Sequence, residues 1–146
     1  MLNKELIKQS LLSHLAHKID ELNRLQRDLG QASANKSSAG DKHETEQAQK
    51  HLEQEKLGQQ LSILEKYVQL TQQLQTTPTE TIQLGSCFEI EQQRYYVSVG
   101  IGLIQVNEQP VFCLGIQAPI IQVLRGKQQH EVITWQGRTT KIDLVL

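Results

Sequence analysis

Gly40-Asp41-Lys42-His43-Glu44 lies between two long segments with heptad spacing, and its reading decides the fold. Before it, Leu12, Leu15, Ile19, Leu22 and Leu29 recur every three or four residues, with Gln26 filling one seam position. Leu11 and Leu25 widen that stripe, and Leu2, Leu6 and Ile7 extend it toward the start. After it, Leu57, Leu61, Leu64, Val68 and Leu74 repeat the spacing, and Leu52 and Ala48 carry it back toward the turn. Such a period puts the apolar residues along one side of a helix, and a lone helix cannot bury that side. Two of them joined by a short turn therefore fold back as an antiparallel coiled-coil hairpin. Each covers roughly 30 residues, or about 45 Å at 1.5 Å per residue. Asp41 and Glu44 then sit at the tip of a rod, in a polar stretch near residues 36–46.

Composition narrows the function classes. The 146 residues carry a formal net charge of -1, so overall charge offers no argument for DNA or a membrane surface. Aromatic residues make up 4% of the chain, too few for an extended stacking platform for single-stranded nucleic acid. No run approaches the roughly 20 apolar residues of a membrane span, and the first residues lack the apolar core of a signal peptide. Cys87 and Cys113 both fall in apolar strand-like runs, where a thiol serves as a small hydrophobe. These features point to a cytoplasmic, reducing setting.

Near Thr76-Thr77-Pro78 the composition changes from Leu, Gln, Glu and Lys to Val, Ile and Gly, and all three prolines follow. The reading is two domains, 1–77 helical and 78–146 strand-rich. Ile82, Leu84, Phe88 and Ile90 alternate, as do Tyr95, Val97, Val99 and Ile101. Val106 and Val111–Ile116 flank a hairpin around Asn107–Pro110. Pro119 opens a short apolar helix that Gly126 stops, and two last strands pair across Gln136-Gly137. The fold class is thus α+β, a helical hairpin followed by a small antiparallel sheet with one short helix.

Asp41 and Glu44 admit two readings. Asp-x-x-Glu before a helix is a capping box, in which each carboxylate accepts from the other residue's amide. Alternatively both point outward and complete the shell of a divalent ion that a partner brings, since magnesium takes one or two carboxylates plus water and phosphate. His14 and His17 share a helix face without the further ligands zinc requires. Lys4, Lys8, Lys18, Arg24, Arg27 and Lys36 bias the first helix toward positive charge, as a solvated face or as one that meets RNA. No Ser-His-Asp grouping, phosphate-cradling glycine loop or paired-cysteine spacing is present.

In order along the chain, Gly40-Asp41-x-x-Glu44, Leu84-Gly85-Ser86 and Pro119 through Leu124-x-Gly126 resemble the Gre transcript-cleavage factors of bacterial RNA polymerase. The resemblance covers nearly the whole chain. It implies a coiled coil that enters the polymerase secondary channel and an FKBP-like carboxy-terminal domain that docks at the channel entrance. It implies that Asp41 and Glu44 help hold a magnesium ion shared with the polymerase, which then cleaves its own backtracked RNA. Ala118, Pro119 and Ile120 fall where that family contacts the polymerase. The implied partner is RNA polymerase, with the nascent RNA 3′ end reached indirectly, no membrane, and no cofactor bound by the protein alone. The sequence also departs from the family pattern. His43 stands where a serine is usual, Thr45–Ala48 replace Asn-Ala-Glu-Tyr, and Ala118 and Ile121 replace serine and glycine. The expected role is an accessory factor, not an enzyme by itself, that stimulates RNA cleavage. The competing expectation is a non-catalytic or inhibitory channel-binding protein whose tip acids only cap a helix.

Overall fold

The computed structural model describes the backbone of residues 3–34 and 42–146, and the side chains of 3–30 and 44–146. The fold is α+β. Two long helices, α1 (Lys4–Ala34) and α2 (Lys42–Gln73), pack together and precede seven strands. The strands are β1 (Cys87–Ile90), β2 (Gln93–Ser98), β3 (Gly102–Val106), β4 (Gln109–Gly115), β5 (Val132–Trp135), β6 (Arg138–Lys141) and β7 (Leu144–Val145); one short helix, α3 (Pro119–Leu124), follows β4. Five strands form a sheet in the order β3-β4-β2-β1-β7, and β5 pairs with β6 alone. The sheet is mostly antiparallel, but β2 and β4 run parallel. That departs from the purely antiparallel expectation. The β3 hairpin returns its second strand to the middle of the sheet, beside β2, so the two strands of the parallel pair are separated in sequence by β3.

The chain divides into two compact units, 15–68 and the combination of 1–14 with 69–146. In the first, burial follows a heptad. Leu15 is fully buried, and Ile19, Leu22, Gln26 and Leu29 are half-buried; on α2, Leu61 and Leu64 are buried between half-buried Leu57 and Val68. Gln26 lies against Gly58, whose added Cβ would come 3.9 Å from the Gln26 side-chain nitrogen. Further along α2 the seam continues through half-buried Gln54 and Lys50. The expected Leu52 and Ala48 face outward, as does Leu25. Those three fit an apolar count, but they do not fit the run Lys50, Gln54, Leu57, Leu61, Leu64, Val68, whose alternating steps of four and three hold one face of the helix.

In the second unit the sheet is covered on both faces. Cys87, Tyr96 and Cys113 stand opposite one another across β1, β2 and β4 and share one face. The first turns of α1 pack on that side: Leu6 and Ile7 line a shallow cavity of about 210 Å³ together with Val106 and Val111. Ile7 and Leu11 are essentially inaccessible, so Leu11 is core there rather than a margin of the stripe. The other face carries the row Val145, Phe88, Tyr95, Phe112 and Leu103, in register across all five strands. Phe88 stacks on Tyr95 at 4.9 Å and Tyr95 on Phe112 at 5.7 Å between ring centres. Beneath α3, Ile121 and Leu124 join Ile82, Phe88, Ile90, Val97, Ile133, Ile142 and Val145 in one apolar cluster.

Turns set the strand register. Glu91-Gln92, Asn107-Glu108 and Gln136-Gly137 all have positive φ at both central positions, the twist that two-residue hairpins need. Only the last has the glycine expected for it; the other two hold side chains in the left-handed region. The Glu91 turn is also tied down by its neighbours. Its amide donates to Asp143 at 3.0 Å, while its carboxylate accepts from Arg138 and Thr140.

Basic side chains of α1 complete the end of α2, which has no basic residue in its own last turn. Lys8 Nζ donates to the carbonyls of Gln72 (3.0 Å) and Leu74 (2.7 Å), and Lys4 Nζ to that of Thr77 (2.8 Å). Gln72 is in the last turn of α2 and Leu74 just past it, so Lys8 also meets the negative end of the helix dipole, whereas Thr77 lies in the connection that follows. Lys4 is buried, so desolvation lowers its pKa, partly offset by the nearby Cys87.

Candidate functional site

Glu44 lies in the first turn of α2, and its side chain is exposed. A carboxylate there is favoured by the unpaired amides and the positive end of the helix dipole, whichever way it points. Asp41 lies outside the described residues, as do the reciprocal bonds of the expected capping box. Lys42 and His43 belong to the helix by backbone. The exposed carboxylate of Glu44 suits an ion held mainly by others, because it offers one ligand where magnesium takes six oxygens. Among the described residues, no three His, Cys, Asp or Glu side chains converge on a common point.

Two of the basic residues on the first helix are used internally: Lys8 holds the end of α2 and Lys4 the connection after it, so neither presents a free positive face. Arg24 pairs with Asp20 at 3.0 Å and His17 with Glu21 at 3.0 Å, both one turn apart and well exposed. Such pairs contribute little to stability.

The second candidate region is the start of α3. Ala118 precedes the helix in an extended conformation without a side-chain cap, and Pro119 takes the first helical position, where its missing amide proton costs nothing. The amide of Ala118 donates to the Gly115 carbonyl, and Gln122 Nε2 donates to the Ile116 carbonyl at 2.7 Å, closing the loop. Pro119 is exposed, whereas Ala118 and Ile120 are half-buried and pack on the central cluster. Ile121 is wholly inside. The outward surface of α3 is therefore Pro119, Gln122 and Val123, with Ile120 only at its margin. The sequence places Val123 within the short helix but gives it no contact role; its position one turn from Pro119, at i+4, is the signal for its exposed face.

Gly126 follows α3 with φ +84, and its amide donates to the Ile82 carbonyl at 2.8 Å. Ser86 in Leu84-Gly85-Ser86 is fully buried; its hydroxyl meets Thr79 Oγ1, donates to the Thr81 carbonyl and accepts from the Gln83 amide. That motif is a folded turn leading into β1 and has no reacting group. The two thiols are chemically quiet. Burial pushes both Cys87 and Cys113 up to about 12, far from the thiolate that reactivity needs. One strand separates them, so their backbones are about 10 Å apart, beyond disulfide reach.

No protein-family model, curated protein or solved structure matches the chain. No helix among the described residues is long and apolar enough to cross a membrane.

Proposed function

We propose that this protein is a Gre-like accessory factor of RNA polymerase. In this reading the paired helices enter the secondary channel and bring Asp41 and Glu44 to the polymerase active site. The sheet unit corresponds to the FKBP-like domain of that family and rests at the channel entrance. Its contact is the surface begun by Ala118, Pro119 and Ile120, extended by Val123. The observation that carries the reading is Glu44, an exposed acid in the first turn of a 32-residue helix packed beside a second helix of similar length. A carboxylate placed this way can complete a magnesium shell made chiefly by the polymerase and the RNA. The ion would activate water and stabilise the leaving oxygen. The protein is then no enzyme by itself, works in the cytoplasm, and meets the RNA 3′ end only through the polymerase.

RNA cleavage in a halted, backtracked elongation complex tests this directly. Wild-type protein should stimulate cleavage. Asp41→Asn combined with Glu44→Gln should abolish the stimulation while the double variant still competes for the channel. Asparagine caps a helix about as well as aspartate, so a purely structural role predicts no change. Stimulation that survives the double substitution would remove the metal role.

A second reading is favoured by the tip sequence itself. His43 and Thr45–Ala48 replace the residues that accompany the acids in the Gre family, and the α2 seam near that end runs through Lys50 and Gln54. Channel occupancy without stimulation would fit those replacements. In the same assay it would appear as inhibition by the wild type, unchanged in the double variant.

A further inference from the structure

We infer that the helix pair carries a hinge at the level of Gln26 and Gly58, beyond which residues 27–34 and 42–57 open as a unit of their own. Lys8 meets the carbonyl of Gln72 and Gln26 lies against Gly58, so the two helices run antiparallel and their levels match along the seam. On one side of the Gln26 level the seam is apolar: Leu15, Ile19, Leu22, Leu61, Leu64 and Val68. On the other side the described seam residues are Leu29, Gln54 and Lys50, and Leu57 sits at the level itself. Apolar burial therefore holds one side much more firmly than the other.

A pair of glycines marks the same level. Gly58 lies inside α2, and Gly30 lies inside α1 one turn beyond Gln26. Neither has a positive φ, so neither is a cap or turn that requires glycine. Neither makes room for a close neighbour. A Cβ at Gly30 would meet nothing within 4 Å, and one at Gly58 only the end of the Gln26 side chain at 3.9 Å, an ordinary contact. Alanine would fit at both places. Glycine there weakens each helix instead, and two paired helices bend only where both yield. A polar seam residue can serve to fix register, but that role needs no glycine in either helix. Glu44 lies beyond the hinge, so a partner that grips 42–57 can re-aim its carboxylate while 15–25 and 59–68 stay paired. This holds whether or not that partner is RNA polymerase.

Hydrogen exchange followed by mass spectrometry, on the full chain free in solution, tests the inference. In the wild type, amides of 27–34 and 42–57 should exchange at least about tenfold faster than those of 15–25 and 59–68, with the change concentrated at the Gln26 and Gly58 level. Gly30→Ala with Gly58→Ala should slow the faster set about tenfold and nearly close that gap, since each glycine favours opening about fivefold over alanine. Ile19→Val loosens the seam on the other side of the hinge. It should quicken exchange in 15–25 and 59–68 about threefold and leave the faster set unmoved, because that set opens without them. Rates that change smoothly along both helices overturn the inference. So do alanines that leave the faster set as it was, or an Ile19→Val that quickens both sets alike.

Discussion

The unit 15–68 and the sheet unit bury their apolar residues in different ways. In the sheet unit, side chains are enclosed from several directions: Ile82, Ile121, Leu124 and Ile142 are wholly inaccessible, and both sheet faces are covered. In 15–68, two helices share one seam, and most of its residues keep a flank toward solvent. Among the described residues Leu15, Leu61 and Leu64 alone are buried there, and Gln26, Gln54 and Lys50 hold positions that an optimised seam would give to leucine. A two-helix contact has no third layer to close it, so equal numbers of leucines exclude less water. Local opening should therefore be easier in 15–68 than in the sheet unit.

The widest gap should appear in core truncations. Leu124→Ala in the sheet unit should cost about 4 kcal/mol, because a fully enclosed site cannot collapse around the lost atoms. Thermal melting with hydrogen exchange in β1 and β2 would show it. A loss under about 1 kcal/mol would mean that α3 is not seated as described. Leu61→Ala in the helix pair should cost less, about 2–3 kcal/mol, and exchange should quicken in 15–68 before it does in the strands. Equal effects would erase the contrast between the units.

Alkaline pH should act on the sheet unit. Cys87 and Cys113 are raised to about 12 by burial, and Tyr96 is raised as well, again chiefly by burial. A group raised on folding contributes fully below its unfolded pKa, about 8.5 for a thiol. That contribution drains away as pH climbs toward the folded value. Lys4, lowered on folding, works in the opposite sense. The melting temperature should therefore fall between about pH 9 and 11, and Cys87→Ala with Cys113→Ala should flatten that fall. An unchanged slope would mean that the thiols do not dominate it.

Smaller effects sharpen the comparison. Lys8→Met removes two bonds at the end of α2 and should cost about 1–2 kcal/mol, toward the low side of the range for bonds from a charged donor because one of the two is exposed. Gln54→Leu should stabilise 15–68 by about 1 kcal/mol by burying apolar surface in the seam, with no change in strand exchange. Leu25→Ala should move the melt by less than about 0.5 kcal/mol, since half of that side chain is already in water. A large loss there would place Leu25 in a contact that the described residues do not contain.

Much of this was legible from residue types alone. The two helices were carried by leucines at steps of three and four, and α3 by Pro119 at its start and Gly126 past its end. The hairpin at Asn107 followed from turn chemistry. The helix faces were less legible: periodicity allowed Leu25, Leu52 and Ala48 into the seam because an apolar residue satisfies a pattern even when it faces water. Lys50 and Gln54 were passed over because polar side chains carry no such signal, yet the helix twist brings them to the seam. Of the candidate acids, Glu44 stands exposed at the start of α2, and Asp41 lies outside the described residues. The direction of each side chain on α3 was not legible, because a six-residue helix is too short for a period to emerge; Ile120 and Val123 exchanged prominence once the cluster beneath them was known.

Local interactions settle what lies close in sequence. Backbone period, a proline's fixed φ and the apolar spacing of the segments determine two long helices, a change to strands near residue 78 and a short helix from Pro119. Tertiary packing decided what joins residues far apart in the chain. It placed β4 parallel to β2, set Leu11 in the core against the sheet, sent Lys8 to the carbonyls ending α2 and Lys4 to the Thr77 carbonyl beyond them, and put β3 at the sheet edge. Each of these depends on which surfaces compete for burial and which backbone groups still need partners, and that competition exists only when the whole chain is assembled.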